Sequence, residues 1–154
     1  MSPGLDARVV AEARAWIGTP YRHQASLRGV GCDCLGLLRG VWRAVVGAEP
    51  EAPPPYAPDW AEAGGADSLL AAARRHLVEV ERGETAAGRV LLFRWRAHLP
   101  AKHLAIATSD RSMIHAHDGA GVAEVALRPW WGRHLAHVFR FPDPRQGHDA
   151  PRAP

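Results

Sequence analysis

Partway along this chain the spacing of its apolar residues changes, and that switch limits the folds open to it. In the first half they recur at three and four; in the second half they alternate or run continuously over short stretches. Leu5, Val9, Ala13, Trp16 and Ile17 share one helical stripe, which Gly18-Thr19-Pro20 ends. From Asp33 a second stripe runs through Cys34, Leu37, Leu38, Val41, Trp42 and Val45 and closes at Gly47. A third helix is predicted from Asp67 to about Glu81, with Leu69, Leu70, Ala73, Leu77 and Val80 inward and Gly83 at its end. Tyr21 to Gly31 reads as a loop, and the Pro-rich Glu49 to Pro58 as an extended connection within the domain. Five strand-like runs follow: Gly88 to Trp95, Lys102 to Thr108, Ser112 to His117, Gly121 to Leu127 and Ala136 to Phe141. Helices first and strands after, without alternation, predict an α+β fold with an antiparallel sheet against a helical layer.

The whole fits one domain over residues 1–141, while "PDPRQGHDAPRAP" at 142–154 has almost nothing to bury and is expected to be disordered. A chain 47% hydrophobic and 23% charged belongs with soluble globular proteins. Its net charge of +3 comes almost wholly from arginine, with Lys102 the only lysine. No dense basic run tracks phosphates, so nucleic acid is not an expected partner. The N-terminal residues lack a basic segment followed by an apolar one, and no stretch is apolar for long enough to span a bilayer. The expectation is synthesis and folding in the cytoplasm without a signal peptide.

The chemistry centres on "GVGCDCLGLLRG", Gly29 to Gly40, which holds both cysteines of the chain. One intervening residue makes too strained a ring for a structural disulfide. Asp33 is a good N-cap, which puts Cys34 in the first turn of its helix. There the helix terminus is expected to stabilise a thiolate and lower its pKa. Cys34 also lies on the buried stripe, so it faces the rest of the fold. Taken alone, that position equally suits a small buried hydrophobe.

A nucleophilic cysteine needs a base, and the base an orienting partner. His103 opens the strand "HLAIA" on the face of Ala105 and Ala107, whose small side chains leave room for another element. His115 lies mid-strand in "MIHAH" with Met113 and His117 on its face. If Ser109-Asp110-Arg111 is the turn, Thr108 pairs with Ser112, His103 faces His117 and Ala105 faces His115. His103 and His115 are then diagonal neighbours on one face. A slip of one residue would separate them, and a different register would make His117 the third member. The pattern alone leaves a Cys/His site and half-exposed, hydrogen-bonded histidines both open.

"TPYRHQ", "GCDCLGLLRGVWR", "GRVLLFRW", "KHLAIAT" and "MIHA" occur in an order that resembles the NlpC-type bacterial cell-wall peptidases. These are papain-like cysteine endopeptidases that cut peptidoglycan stem peptides, and the branch carried by phage tails and gene transfer agents is the most similar. The resemblance runs from about Leu5 to Phe141. It implies Cys34 as nucleophile, His103 as general base and His115 as the residue orienting His103. It places Tyr21 and Asp33 on the substrate and oxyanion side, and the anionic stem it implies makes Arg22 the candidate ligand for stem carboxylates. Cys32 falls outside the motif and reads as a packing neighbour. The implied bond follows D-glutamate, γ-D-Glu to a diamino acid, with no cofactor; the implied partners are stem peptides and phage-like tail proteins, on a particle. Leu35, Arg89 and Ala105 depart from the common pattern, where Ser, Asp and Gly are usual. These departures touch substrate subsites rather than catalytic groups.

Three rival readings remain. Cys32, Cys34, His115 and His117 could bind zinc, though both pairs have one-residue spacing where structural zinc favours two to four. The chain could be a non-catalytic tail-assembly or wall-binding module, which would need none of Cys34, His103 and His115. A thiol-disulfide role suits C-x-C poorly. Trp130-Trp131 reads as a pair of core tryptophans rather than a sugar-binding surface.

Overall fold

The computed structural model describes residues 4–51, 67–127 and 129–145. The chain begins with α1 (Leu5–Ala15), then a two-stranded antiparallel hairpin, β1 (Ser26–Leu27) and β2 (Gly31–Cys32). That hairpin runs directly into α2 (Cys34–Val45). Then come α3 (Ser68–His76), β3 (Val78–Val80), a 3-10 turn at Arg82–Glu84, β4 (Val90–Phe93), β5 (His103–Ala107), β6 (Ser112–His117) and β7 (Gly121–Ala126). A short helix α4 (Pro129–His134) leads into β8 (Leu135–Arg140). Among the described residues no helix is long and apolar enough to cross a membrane.

The main sheet has the order β3-β8-β4-β5-β6-β7, and every neighbouring pair is antiparallel. This is the α+β arrangement that the change of period predicts. Strands β4 and β5 are buried at every position, so both faces of the sheet are covered at its centre. On one face Leu92, Leu104, Ile106 and Ile114 pack with Val9, Ala13, Leu37 and Val41 of α1 and α2. On the other, Leu91, Phe93, Ala105, Met113 and Val138 form a second cluster, against which Trp95 and Trp131 pack.

Four segments differ from the expectation. The third helix stops at His76: Leu77 takes extended dihedrals, and Val78–Val80 pair with Val138–Arg140 as an edge strand. Leu77 and Val80 continue a helical spacing in the sequence. Two β-branched residues flanking Glu79 suit a half-covered strand equally well, and pairing with β8 decides between them. The stretch read as a loop before Cys34 contains the β1–β2 hairpin, and the chain between β7 and β8 contains α4. The first strand ends at Phe93, where its pairing with β8 shifts register, so Trp95 lies outside it. The Pro-rich residues 52–58 and the tail beyond residue 145 lie outside the described residues. At the start of that tail, Arg145 is hydrogen-bonded to Asp143.

Candidate active site

The N-terminus of α2 is held by one carboxylate. Asp33 is 3% exposed; its Oδ1 accepts the Gly36 N–H at 2.7 Å as the helix cap, and its Oδ2 accepts the Gln24 N–H at 2.8 Å. The second bond fixes a loop in which Gln24, at φ 66°, is the only non-glycine residue with positive φ among those described. Gly36 lets this loop approach, since a Cβ there would run into the Ala25 carbonyl oxygen. Ser26 Oγ donates to the Gly36 carbonyl at 2.6 Å and closes the same contact. Asp33 thus accepts a backbone N–H on each oxygen, with His23 Nδ1 3.9 Å from its Oδ2, and so braces the helix start that carries Cys34.

The Cys34 side chain packs against the cluster between α2 and the sheet. The backbone N–H groups of Leu104 on β5, of Leu35 and of Cys34 itself donate toward its sulfur. These donors favour a thiolate, as a helix N-terminus should. Burial nonetheless pushes the thiol up to about 12, and the adjoining Asp33 carboxylate pushes the same way. The expectation of a depressed thiol pKa is therefore overturned. The same contact that aims Cys34 into the fold leaves it only partly exposed, and the loss of hydration outweighs the amide dipoles.

The Leu104 amide follows His103 directly, so the thiol meets β5 next to the first histidine. His103 is 9% exposed and His115 4%, and His103 Nε2 lies 2.8 Å from His115 Nδ1. The strand register is that of the predicted hairpin: Ile106 pairs with Ile114, Ala107 with Met113, and the Thr108 amide donates to Ser112 O at 2.9 Å. His117 is exposed, its ring 5.4 Å from that of His115 and 6.4 Å from that of His103, and its Nδ1 is 3.0 Å from Asp118 O. It is His115, then, that His103 engages, through the nitrogen that leaves Nδ1 on the opposite edge of the ring. Burial pushes His103 down to about 3, with His115, His117 and Lys102 adding to the shift. Burial, then His117, pushes His115 down to about 4. All three shifts favour the uncharged forms, a thiol at Cys34 and neutral imidazoles at His103 and His115.

Of the other candidates, Tyr21 is half-buried and bridges to Cys32. Its hydroxyl is pushed up to about 12 by burial and then by Cys34, Asp33, Asp118 and Cys32, which places it in the field of the same centre. Arg22 is exposed, and its stem lies along Gly31. Cys32 is fully buried among the apolar residues on the helix side. Burial, then Asp33 and Cys34, pushes its thiol up to about 12. With Cys32 inside that cluster and His117 exposed, the two cysteines and two histidines do not converge. Among the described residues no group of three or more His, Cys, Asp or Glu is arranged to hold a metal.

Sequence reasoning missed the aromatic residues around the histidines. Trp130 is 46% exposed, while Trp131 is half-buried against the second cluster, so the two are not a fully buried core pair. Trp131 lies 5.5 Å from the His103 ring and 5.2 Å from the His115 ring, and Trp95 stacks on His103 at 6.1 Å and 22°. The small lane of Ala105 and Ala107 was the available signal: it marks a face that something bulky covers, and the cover is α4 and Trp95.

No protein-family model matches this chain, and no curated protein sequence matches it. Solved structures do. The NlpC/p60 domain of the peptidoglycan hydrolase SagA superposes with a TM-score of 0.64 at 23% identity, covering 88% of this chain and 98% of that one. An NlpC/P60 family protein from Bacillus cereus gives a TM-score of 0.64 at 19% identity, covering 92% of this chain and 41% of its own. NlpC2 from Trichomonas vaginalis gives 0.62 at 14%, covering 92% and 48%. The chain spans nearly all of the first and less than half of each of the other two. The fold is that of NlpC/P60 domains, N-terminal helices on an antiparallel sheet.

Proposed function

We propose that this protein is a cysteine endopeptidase that hydrolyses an amide bond in peptidoglycan stem peptides. The observation that carries the reading is the 2.8 Å contact between His103 and His115, with the Cys34 sulfur held at the amide that follows His103. The fold shared with the NlpC/p60 domain of a peptidoglycan hydrolase supports the substrate class.

In this reading His103 Nε2–H donates to His115 Nδ1, which leaves the His103 Nδ1 lone pair for the thiol proton. Because the resting pair is neutral, His103 takes the Cys34 proton as sulfur attacks the carbonyl carbon. The tetrahedral oxyanion is met by backbone N–H groups at the α2 N-terminus, with the Tyr21 hydroxyl on the same side. The C–N bond then breaks, the leaving nitrogen takes the proton from His103, and the acyl group remains on Cys34 as a thioester. Water, deprotonated by His103, releases the acid and restores the thiol. His115 orients the ring and accepts its hydrogen bond throughout.

The proposed bond joins γ-D-glutamate to a diamino acid, and Arg22 on the rim is proposed to bind a stem carboxylate. A place on a phage-like particle is proposed from the sequence resemblance. Immunodetection in purified particles checks it, and protein confined to cytosol would end it. The central test is mass spectrometry of peptidoglycan fragments incubated with the wild type and with Cys34→Ala. Cleaved stems with the wild type alone are expected, and their masses identify the bond. Cleavage that survives Cys34→Ala would refute the thiol mechanism.

A further inference from the structure

His103 and His115 lie on the sheet face opposite α1 and α2, where no long helix covers them; what closes that face is aromatic. Trp131, from the first turn of α4, contacts both imidazoles, at 5.5 Å and 5.2 Å between ring centroids. Toward His115 it is edge-on at 84°, and toward His103 it is inclined at 30°. Trp95, from the chain just beyond β4, stacks on His103 and touches Trp131 at 5.8 Å. Phe93 backs Trp131 at 5.1 Å. Trp130 lies outside this layer, perpendicular to Trp131 at 4.8 Å and stacked on His134 at 4.1 Å.

We propose that Trp131, braced by Trp95, is a positioning residue: it holds the His103–His115 hydrogen bond in one geometry and keeps water from it. The proposal rests on the Cys34/His103/His115 reading above and adds a residue that motif reasoning does not reach. The physical case is one of competition. A bond between two neutral imidazoles is weak in water, because either ring nitrogen can trade its partner for solvent. Removing that option by covering the pair with apolar ring surface makes the bond obligatory, since a broken one would leave two buried nitrogens without partners. A rigid indole does this at little entropic cost, with only two side-chain torsions to order. The titratable groups around His103 are Lys102, just before β5, and His115 and His117 on β6. Removing Trp131 leaves all three in place and changes solvent access.

The test compares the wild type with Trp131→Leu and Trp131→Phe, reading the imidazole N–H and ring resonances of His103 and His115 by NMR across pH, and kcat and KM on stem peptides. The wild type should show a slowly exchanging N–H shared by the two rings and a His103 that stays neutral well below pH 6.5. Trp131→Leu should lose the slow N–H and move the His103 titration toward pH 6.5. Its kcat should fall about tenfold or more with KM nearly unchanged, because the orientation of the base is what is lost. Trp131→Phe, which keeps an aromatic ring in place, should recover part of each. A folded Trp131→Leu protein whose shared N–H still exchanges slowly and whose His103 titration has not moved would overturn the proposal. If the wild type cleaves nothing, the NMR measurements still decide the role of Trp131, so the two readings fail separately.

Discussion

Asp33 shows how much of this site rests on one side chain. Its two oxygens serve two backbone donors, the Gly36 N–H of the helix cap and the Gln24 N–H of the preceding loop. Asp33→Ala strips both and should cost roughly 0.5–2 kcal/mol for the cap and about 1 kcal/mol more for the stranded loop amide. Asp33→Asn keeps one acceptor oxygen, so it should lose the smaller part; urea unfolding of the two variants separates the contributions. The carboxylate has a second effect of opposite sign. It disfavours a negative sulfur beside it, second only to burial in raising the Cys34 pKa. Wild-type Cys34 should therefore react slowly with iodoacetamide at neutral pH and speed up only toward alkaline pH. In Asp33→Asn the rate–pH profile should move to lower pH. A profile that moves to higher pH, or stays put, would show that the Asp33 carboxylate does not raise the Cys34 pKa.

The start of α2 is braced by the docking of the β1–β2 hairpin onto it. Ser26 Oγ bonds the Gly36 carbonyl, Arg43 reaches the Ser26 carbonyl at 2.8 Å, and Gly36 permits the close approach. Gly36→Ala would gain helix propensity in an ordinary helix, yet here its methyl meets the Ala25 carbonyl and must push the hairpin away. The expected result is a loss of about 1–3 kcal/mol with a lower Tm, together with faster alkylation of Cys34 as its packing loosens. A variant as stable as the wild type would mean that the hairpin is only loosely seated. At this scale the sequence was informative where local chemistry repeats itself. The Asp33 cap and the stripe from Cys34 to Val45 agree on α2, and the Ser109–Arg111 turn with alternating neighbours sets the β5–β6 register that brings His103 to His115. It was silent where the element is defined by contact. Strands β1 and β2 have two residues each and are strands only because they pair. Helix α4 has six residues with a glycine inside, too short for a period, and what marks it is the face it covers. Leu77 to Val80 fits either period, and only the free edge of β8 makes it a strand.

Across the whole molecule, burying two neutral histidines ties stability to pH. In the folded protein His103 is pushed down to about 3 and His115 to about 4, from an ordinary value of 6.5. Above pH 6.5 neither the folded nor the unfolded chain protonates these rings, and the fold keeps its full stability. Below 6.5 the unfolded chain takes up protons that the folded one refuses, so stability falls as pH drops through 6.5 toward the folded values. Each histidine contributes a loss of up to about 1.4 kcal/mol per pH unit in that window. The carboxylates depressed by arginine partners, such as Glu49 beside Arg39 and Arg43, also lose stability on acidification, though only below their ordinary value of 4.5. The interval between these values therefore isolates the imidazoles. Urea midpoints taken from about pH 7.5 down to about pH 4.5 should hold steady and then decline from near 6.5. His115→Gln, with one buried imidazole fewer, should decline with a shallower slope even if its starting stability is lower. A midpoint that stays level until the carboxylates begin to titrate would mean that the two rings accept protons within the fold. The neutral-pair description of the site, and the general-base role of His103 built on it, would then have to give way to a resting thiolate–imidazolium pair.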